Sequence, residues 1–565
     1  MEALIRHLGS DVFCQSHAAG GTEYRIDQAT AIPRLTALAS RYDQAVSRDR
    51  DDDLHAIGRE LFDWLDVAGW ASAWVKEGGP RALEIHVDDT SEPLARALLD
   101  APWELLAGRQ GFLADDRVQW FVVARRIGAR QPPPSPQHSE LRLLFMAAAP
   151  AGASELDFEA EEAAILEATG KLRLHLLVEE SGALPVLRER LAREGDCAAL
   201  HLSCHGDIDA ERGAFLALED DYGQLAPATA ADLVSHLGEA GSTPLIFLSA
   251  CRTAEQVAPA GQRPYEPLVR ELVRAGTANV LGWDGSVMDR DAITFAGEFY
   301  KQLAAYQKTP LAAAMARAKL RQGQLADPRQ GRHWHLARLT LGGGGGGALV
   351  GHGLPKAQVP GSACADQFLD AERGESPVVS RTAFIGRRRA LQHALRALRE
   401  HSGVLIHGMG NLGKSSLAAR IASRLNGHRT VVVFGRYDAL TVFDRLLEKV
   451  AADSRAQWRS AWRTKLAADE TLLADAVEAL LAGPLDAAPV LLIVDDLEQI
   501  LEAPARSSDT ATPVQSRYRP VLAAILGAFR QAHSDSCLLL TSRYLFTLPD
   551  RKSTRLNSSH LVISY

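Results

Sequence analysis

Residues 404–426 read VLIHGMGNLGKSSLAARIASRLN. An apolar run, Val404–His407, leads into Gly408-x4-Gly413-Lys414-Ser415, and Ser416–Asn426 has helical character. Strand, glycine-rich turn and helix in that order is the setting a phosphate-binding loop needs. Glycines let the chain bend so that successive N–H groups face phosphate oxygens, and the helix N-terminus adds a dipole that favours anions. Gly408, Gly410, Gly413, Lys414, Ser415 and Ser416 are therefore the expected nucleotide-binding residues. Lys414 is placed to contact the β and γ phosphates and the Ser415 hydroxyl to ligate Mg2+. The loop is compatible with either ATP or GTP.

Downstream, the apolar run Leu491–Val494 ends in Asp495-Asp496, with Glu498 close behind. A carboxylate at the carboxyl end of a core strand can hold the metal. Asp495 is the expected Mg2+ residue, and Asp496 or Glu498 would polarise the attacking water. A further apolar run ends in Thr541-Ser542-Arg543, where Arg543 could sense the γ-phosphate. These elements resemble the STAND class of P-loop ATPases, which includes NB-ARC and NACHT proteins. FIGR at Phe384–Arg387, GMGNLGKSSLA, LLIVDDLE and LLLTSR follow the order of that class over about residues 380–549. The resemblance implies that Gly386 and Arg387 contact the nucleotide and that the cofactors are ATP and Mg2+. It also implies a slow ATP/ADP switch, joined to an N-terminal effector, that forms homo-oligomers when activated.

The whole chain has 565 residues and a hydrophobic fraction of 46%, enough for several buried cores. Its net charge of -8 offers no cationic footprint, so direct nucleic-acid binding is not expected. Cys14, Cys197, Cys204, Cys251, Cys364 and Cys537 are scattered without a CxxC pair, which argues against a disulfide or zinc framework. A reducing cytoplasm fits. MEALIRHLGSDVF is too short and polar for a signal peptide, and no long apolar run predicts a membrane span.

Upstream of the loop, ALEIHVDD (82–89) and WFVVARRIG (120–128) read as strands, PLARALLDAPWELLAG (93–108) as a helix, and QPPPSPQ (131–137) as a break. Apolar runs then alternate with helical stretches: LRLLFMAAAP (141–150), HLLV (175–178), CAALHLSCHG (197–206), PLIFLSAC (244–251), TANVLGWD (277–284) and a closing HWHLARLTL (333–341). This pattern predicts an α/β domain with a mainly parallel sheet. Six glycines at 342–347 open a stretch that reads as a flexible linker to residue 380.

His205 and Cys251 each end an apolar run, 46 residues apart. Strand ends at the carboxyl edge of an open α/β sheet are where sites form. A histidine there can take a thiol proton, and the thiolate is a nucleophile. The N–H groups of Gly206 and Cys251 could form an oxyanion hole. LHLSCHG, PLIFLSACRTAE, LVRAGTANVLGWDGSV and FAGEFYKQLA, with APWELLAG and GFLADDRVQWFVVARRIG upstream, resemble the CHAT family of caspase-like peptidases over roughly residues 80–345. The resemblance implies that His205 is the general base and Cys251 the nucleophile. SACRT stands where caspases have their QACxG box, so aspartate specificity is not implied. Asp207, Asp220 and Asp221 could bind a basic side chain or simply be solvated loop acids.

The expected architecture is an N-terminal helical or mixed segment (1–80), a caspase-like α/β domain (81–345), a linker (346–380) and a P-loop NTPase α/β core (381–549). DRKSTRLNSSHLVISY (550–565) resembles a translated sequencing adapter and is expected to stand outside the fold, which would make the chain a fragment. The expected function is a bacterial, cytoplasmic cysteine peptidase acting on protein or peptide under an ATP-dependent switch, in defence or regulated cell death as the resemblance suggests. The alternatives are a catalytically silent scaffold whose partner binding follows nucleotide state, or an ATPase or GTPase with a regulatory N-terminal domain.

Overall fold

The computed structural model describes residues 2–8, 11–16, 24–48, 51–76, 79–116, 118–154, 156–170, 172, 174–209, 211–220, 223–239, 243–251, 265–356, 367–380, 384, 386–425, 427–503, 511–548 and 560–564. They fall into two compact units, Met1–Pro360 and Gly361–Tyr565.

The first unit contains β1 (Glu2–Leu8), β2 (Asp11–Ser16), β3 (Tyr24–Asp27), β4 (Arg81–Val87), β5 (Phe121–Ile127), β6 (Leu141–Ala147), β7 (Leu174–Glu179), β8 (Ala199–Asp209), β9 (Gly213–Glu219), β10 (Leu225–Thr229), β11 (Leu245–Cys251), β12 (Asn279–Trp283) and β13 (Ala337–Leu341). All belong to one sheet, ordered β10-β9-β8-β11-β12-β13-β5-β4-β1-β2-β3, with β6 against the first half of β8 and β7 against β6. Pairing is parallel along β8-β11-β12 and along β13-β5-β4-β1, and antiparallel between β12 and β13 and at the flanks β1-β2-β3 and β8-β9-β10. Strands β6, β12 and β13 are buried at every residue. That is why they are mostly apolar, and the polar residues they carry, Arg142, Asn279, Arg338 and Thr340, are buried as well. The N-terminal residues extend the same sheet, since β1 pairs in parallel with β4.

The predicted helix over 93–108 is shorter than expected. It spans Pro93–Asp100, and Ala101 turns extended with ψ 139. Pro102 follows and disfavours helical backbone at the residue before it. A short 3-10 turn at Trp103–Leu105 then buries Trp103 and Glu104. Trp103 Nε1 donates to Leu98 O at 2.7 Å, and Glu104 meets Arg125 of β5 at 2.6 Å.

The glycine run is not a flexible tether. Arg126 Nη1 donates to the carbonyls of Gly342 (2.6 Å) and Gly343 (2.9 Å), and the Gln131 N–H donates to Gly343 O at 2.8 Å. A Cβ added at Gly342, Gly343, Gly345 or Gly347 would stand 2.7, 2.8, 2.0 or 2.7 Å from a neighbouring atom. The composition that suggests flexibility instead permits close backbone approach against the proline-rich segment. At the other end of the expected linker, Leu369 joins the core of the second unit, and Arg445 pairs with Asp370 and Glu375. Residues 357–366 lie outside the described residues.

The second unit holds β14 (Gly403–His407), β15 (Arg429–Val433), β16 (Val490–Val494), β17 (Cys537–Ser542) and β18 (His560–Ser564), all parallel, in the order β15-β16-β17-β14-β18. Alternate residues divide between two cores. Val404, Ile406, Leu491, Ile493 and Leu539 join one, and Leu405, Leu492, Val494, Leu538 and Leu540 the other. Strand β18 corrects the expectation that 550–565 stands wholly outside the fold. His560–Ser564 pairs with Gly403–His407, residue for residue. HLVIS contains a β-branched apolar pair suited to a ladder, and the β14 edge offers unpaired backbone groups.

Gly345→Ala should lower the thermal midpoint of the first unit by several degrees, because overpacking against a backbone carbonyl costs about 1–3 kcal/mol. Gly344→Ala, whose Cβ meets nothing closer than 3.6 Å, should leave the midpoint unchanged. Burial would raise the Glu104 pKa, but Arg125, with Arg338 and Arg317, outweighs it and holds the group down at about 2. A depressed pKa gives stability that is present above the unfolded value of ~4.3 and is lost as pH falls through the folded value. Acid unfolding of the first unit, followed by tryptophan fluorescence, should therefore steepen between these two values. Glu104→Gln should remove that dependence and destabilise the unit at neutral pH by roughly 3–5 kcal/mol, since Arg125 is left buried and uncompensated.

Candidate functional site

In the first unit, β8 and β11 run parallel with Leu202↔Leu248, Ser203↔Ser249, Cys204↔Ala250 and His205↔Cys251 as register partners. The two positions singled out from sequence are therefore neighbours on adjacent strands and share one face of the sheet. The description of Cys251 extends to its backbone. Gly206 follows the last paired residue of β8 against β11, opposite Leu216 of β9.

His205 is buried, and its ring is held by the loop after β6. Nε2 lies 2.7 Å from the carbonyl oxygen of Ser154 and 3.3 Å from the Ser154 hydroxyl. A carbonyl only accepts, so Nε2 carries the hydrogen, and in the neutral ring Nδ1 keeps its lone pair. Nδ1 is buried and has no hydrogen-bond partner among the described residues. The ring is thus oriented through one nitrogen, and the other keeps its lone pair. The loop carrying Ser154 is itself fixed. Ala149 N–H donates to Glu219 Oε1 at 2.6 Å, Ala151 N–H to Gly223 O at 2.9 Å, and Asp157 N–H to Asp289 Oδ2 at 3.2 Å.

One rung earlier lies a buried carboxylate that the sequence reading missed. Glu161, on the helix Phe158–Thr169, accepts from Ser203 Oγ at 2.8 Å and from Ser249 Oγ at 3.0 Å. His201 Nε2 is 3.3 Å from the same carboxylate, and His201 Nδ1 is 3.0 Å from the Tyr300 hydroxyl. Burial would raise the pKa of Glu161, but His201 and the serine hydroxyls outweigh it and hold the group below its ordinary range. The available signal was a serine two residues before each candidate, inside otherwise apolar runs. A polar group in such a place needs a partner. Cys197 and Cys204 differ from a reactive thiol, since burial pushes them up to about 11 and about 12. Asp220 accepts from the Gln224 N–H at 2.9 Å within its own turn, and Asp221 lies outside the described residues.

In the second unit, Gly408 follows β14, Asn411 and Gly413 take left-handed backbone (φ 61 and 76), and the helix Lys414–Arg424 starts at once. Lys414 is buried and donates to the carbonyls of Gly408 (3.1 Å) and Met409 (3.0 Å). Ser415 Oγ donates to Asp495 Oδ1 at 3.0 Å, and Thr541 Oγ1 to the same oxygen at 2.5 Å. Asp495 Oδ2 is buried with no hydrogen-bond partner among the described residues. A serine hydroxyl beside an orphaned carboxylate oxygen fits a hard divalent cation such as Mg2+. The next residue, Asp496, takes left-handed backbone (φ 58), and its N–H donates to Thr541 Oγ1 at 2.9 Å. Its pKa is raised by burial and by the charges of Glu498 and Asp495. Tyr437, which sequence reading also missed, pins this turn by donating to the carbonyls of Asp495 (2.7 Å) and Asp496 (3.2 Å).

Arg543 Nε donates to Glu498 Oε1 at 2.7 Å, and its guanidinium lies against Gly410, where a Cβ would be 3.2 Å from Cζ. The Ser416 hydroxyl faces the backbone, accepting from the Val379 N–H at 3.1 Å. Gly386 and Arg387 both have positive φ and precede the helix Arg388–Glu400. Among the described residues no helix is long and apolar enough to cross a membrane.

A family model for the CHAT domain matches residues 59–343, and one for the AAA ATPase domain matches residues 383–537. Among solved structures, a Signal Transduction ATPase with Numerous Domains (STAND) protein with a tetratricopeptide repeat sensor, from Pyrococcus horikoshii, is 15% identical. That match has a TM-score of 0.22 and covers 35% of this chain and 24% of the other. The Saccharomyces cerevisiae separase–securin complex is 14% identical with a TM-score of 0.27, covering 46% and 15%. The Arg-specific cysteine proteinase gingipain R is 12% identical with a TM-score of 0.32, covering 52% and 68%. The chain thus spans about a quarter or less of the first two structures. No curated protein matches it.

Long-range 1H–15N correlation spectra of protein carrying 15N-histidine should show the neutral His205 ring protonated at Nε2 and bare at Nδ1. Ser154→Ala keeps the carbonyl and should leave that pattern intact. A hydrogen on Nδ1 would contradict the geometry.

Proposed function

The chain belongs to the CHAT domain family, and from that premise we propose that its first unit is a cysteine peptidase whose activity follows the nucleotide state of its second. The observation that carries the reading is the His205 ring, oriented by the Ser154 carbonyl through Nε2, with no partner at Nδ1 among the described residues, at a position whose register partner is Cys251.

In this reading Nδ1 takes the Cys251 thiol proton and the thiolate attacks the carbonyl carbon of a peptide bond. The Gly206 and Cys251 N–H groups stabilise the oxyanion. The imidazolium returns its proton to the leaving amine. Water, deprotonated by the same Nδ1, then releases the acyl group from sulfur. The substrate is a protein or peptide.

The second unit binds ATP. Lys414 leaves its two loop carbonyls for the β and γ phosphates, and the backbone of Gly408–Ser415 faces phosphate oxygens. Ser415 and Asp495 would hold Mg2+, which would supply charge neutralisation at the phosphates. Glu498 or Asp496 orients the water, and Arg543 senses the γ-phosphate as it exchanges Glu498 for it. Gly386 and Arg387 contact the rest of the nucleotide. ATP-dependent homo-oligomerisation would align the peptidase site, in the cytoplasm of a bacterium and in the service of defence or regulated cell death, with neither membrane nor nucleic acid required.

Incubated with a labelled peptide library, the wild type should cleave, and Cys251→Ala and His205→Ala should lose at least about 100-fold, the range general-base and nucleophile losses span. Equal cleavage by wild type and Cys251→Ala leaves a scaffold rather than a peptidase. Lys414→Ala should abolish nucleotide-dependent stimulation and assembly while sparing basal cleavage. Unchanged stimulation in that variant would separate the two activities.

A further inference from the structure

We infer that Glu161 is the positioning residue of the Cys251–His205 pair. It ties the two strands together one rung before the pair and supplies the buried negative charge that favours proton transfer to His205. This rests on the peptidase reading of the site.

Side chains two residues apart on a strand lie on the same face, about 6.6–6.8 Å apart along it. Ser203 and His205 are so related on β8, and Ser249 and Cys251 on β11. Each oxygen of Glu161 accepts from a different strand: Oε2 from Ser203 and Oε1 from Ser249. Any slip of β11 along β8 would break one of these bonds. The tie therefore holds the register of the next rung, where His205 and Cys251 stand. The helix Phe158–Thr169 that carries Glu161 begins just after the Ser154 loop that orients the His205 ring. One short segment thus sets both the ring and the strands.

Several titratable groups face this charge, His201 closest at 3.3 Å. From β8, His201 and the thiol of Cys204 face it or feel it, and Cys204 stays protonated. From the helix Asp289–Ala304 comes Tyr300, which burial holds protonated, so that its hydroxyl can donate to His201. Asp157 and Asp289 line the same small pocket as Glu161, Ser203 and Ser249, and both are acidic. In this inference the Glu161 carboxylate favours transfer of the Cys251 proton to its neighbour on β8.

The test is the rate at which iodoacetamide alkylates Cys251, followed by mass spectrometry of its peptide across pH in the full chain. The thiolate displaces iodide, so rate tracks thiolate. Glu161→Gln, nearly isosteric, should move the profile up by about one pH unit, which is about tenfold in rate below both midpoints. Its thermal midpoint should remain within a few degrees of wild type. Glu161→Asp, which keeps the charge, should restore most of the profile. A Glu161→Gln profile superimposable on wild type overturns the inference. If Glu161→Gln does not fold, Ser203→Ala and Ser249→Ala take its place. Each should slow alkylation at least about threefold, as expected when a bond to a charged group is lost, and wild-type rates in both overturn the inference. His205→Ala separates the two readings. If it leaves the wild-type profile unchanged, the peptidase pair itself fails; if it shifts the profile and Glu161→Gln does not, only the role of Glu161 fails.

Discussion

Everything in the first unit depends on the parallel register between β8 and β11. Parallel neighbours cannot be joined by a tight turn, so a crossover must carry the chain back to the start of the sheet. Here the crossover contains the β9–β10 hairpin and the helix Ala230–Glu239. The result is that His205 and Cys251, 46 positions apart in sequence, become register partners at the same carboxyl edge. A register shifted by one residue would carry one of them to the opposite face. The serines that precede them are bound to one carboxylate, so the register is held by a charge-assisted tie as well as by the ladder.

The second unit applies the same constraint to phosphate chemistry. The carboxyl ends of β14, β16 and β17 bring together Ser415, Asp495 and Thr541, which come from three distant stretches of chain. Side chains there substitute for one another's partners. Lys414 rests on its own loop carbonyls, Arg543 on Glu498, and Ser415 on Asp495. Only Asp495 Oδ2, among the oxygens of that carboxylate, is left without a donor.

Much of this was legible in the chain. Apolar runs of strand length separated by helical stretches gave the α/β class, and glycine spacing before Lys414 gave the loop. His205 and Cys251 stood out because each is a reactive group ending an apolar run. Glu161 was not legible, since an acid in EAEEAAI looks like any solvated helix position. Only packing against β8 and β11 makes it a buried carboxylate. Ser154 acts through a backbone carbonyl, which every residue possesses, so its identity carries no signal. The glycine run misled for the opposite reason. Glycine permits both flexibility and close approach, and composition cannot distinguish them. The neighbours at Ala278 O, Thr277 O and Pro133 decide for close approach.

The sequence by itself determined the element types, the reactive residues and the phosphate loop, because these follow from local periodicity and from groups whose chemistry belongs to one residue or one short motif. Only the tertiary structure decided which nitrogen of His205 carries the hydrogen, which acid lies against β8 and β11, and whether the glycines tether or pack. Those depend on partners contributed by segments far away in the chain: a carbonyl from the Ser154 loop, two hydroxyls from separate strands, and backbone oxygens near residue 278.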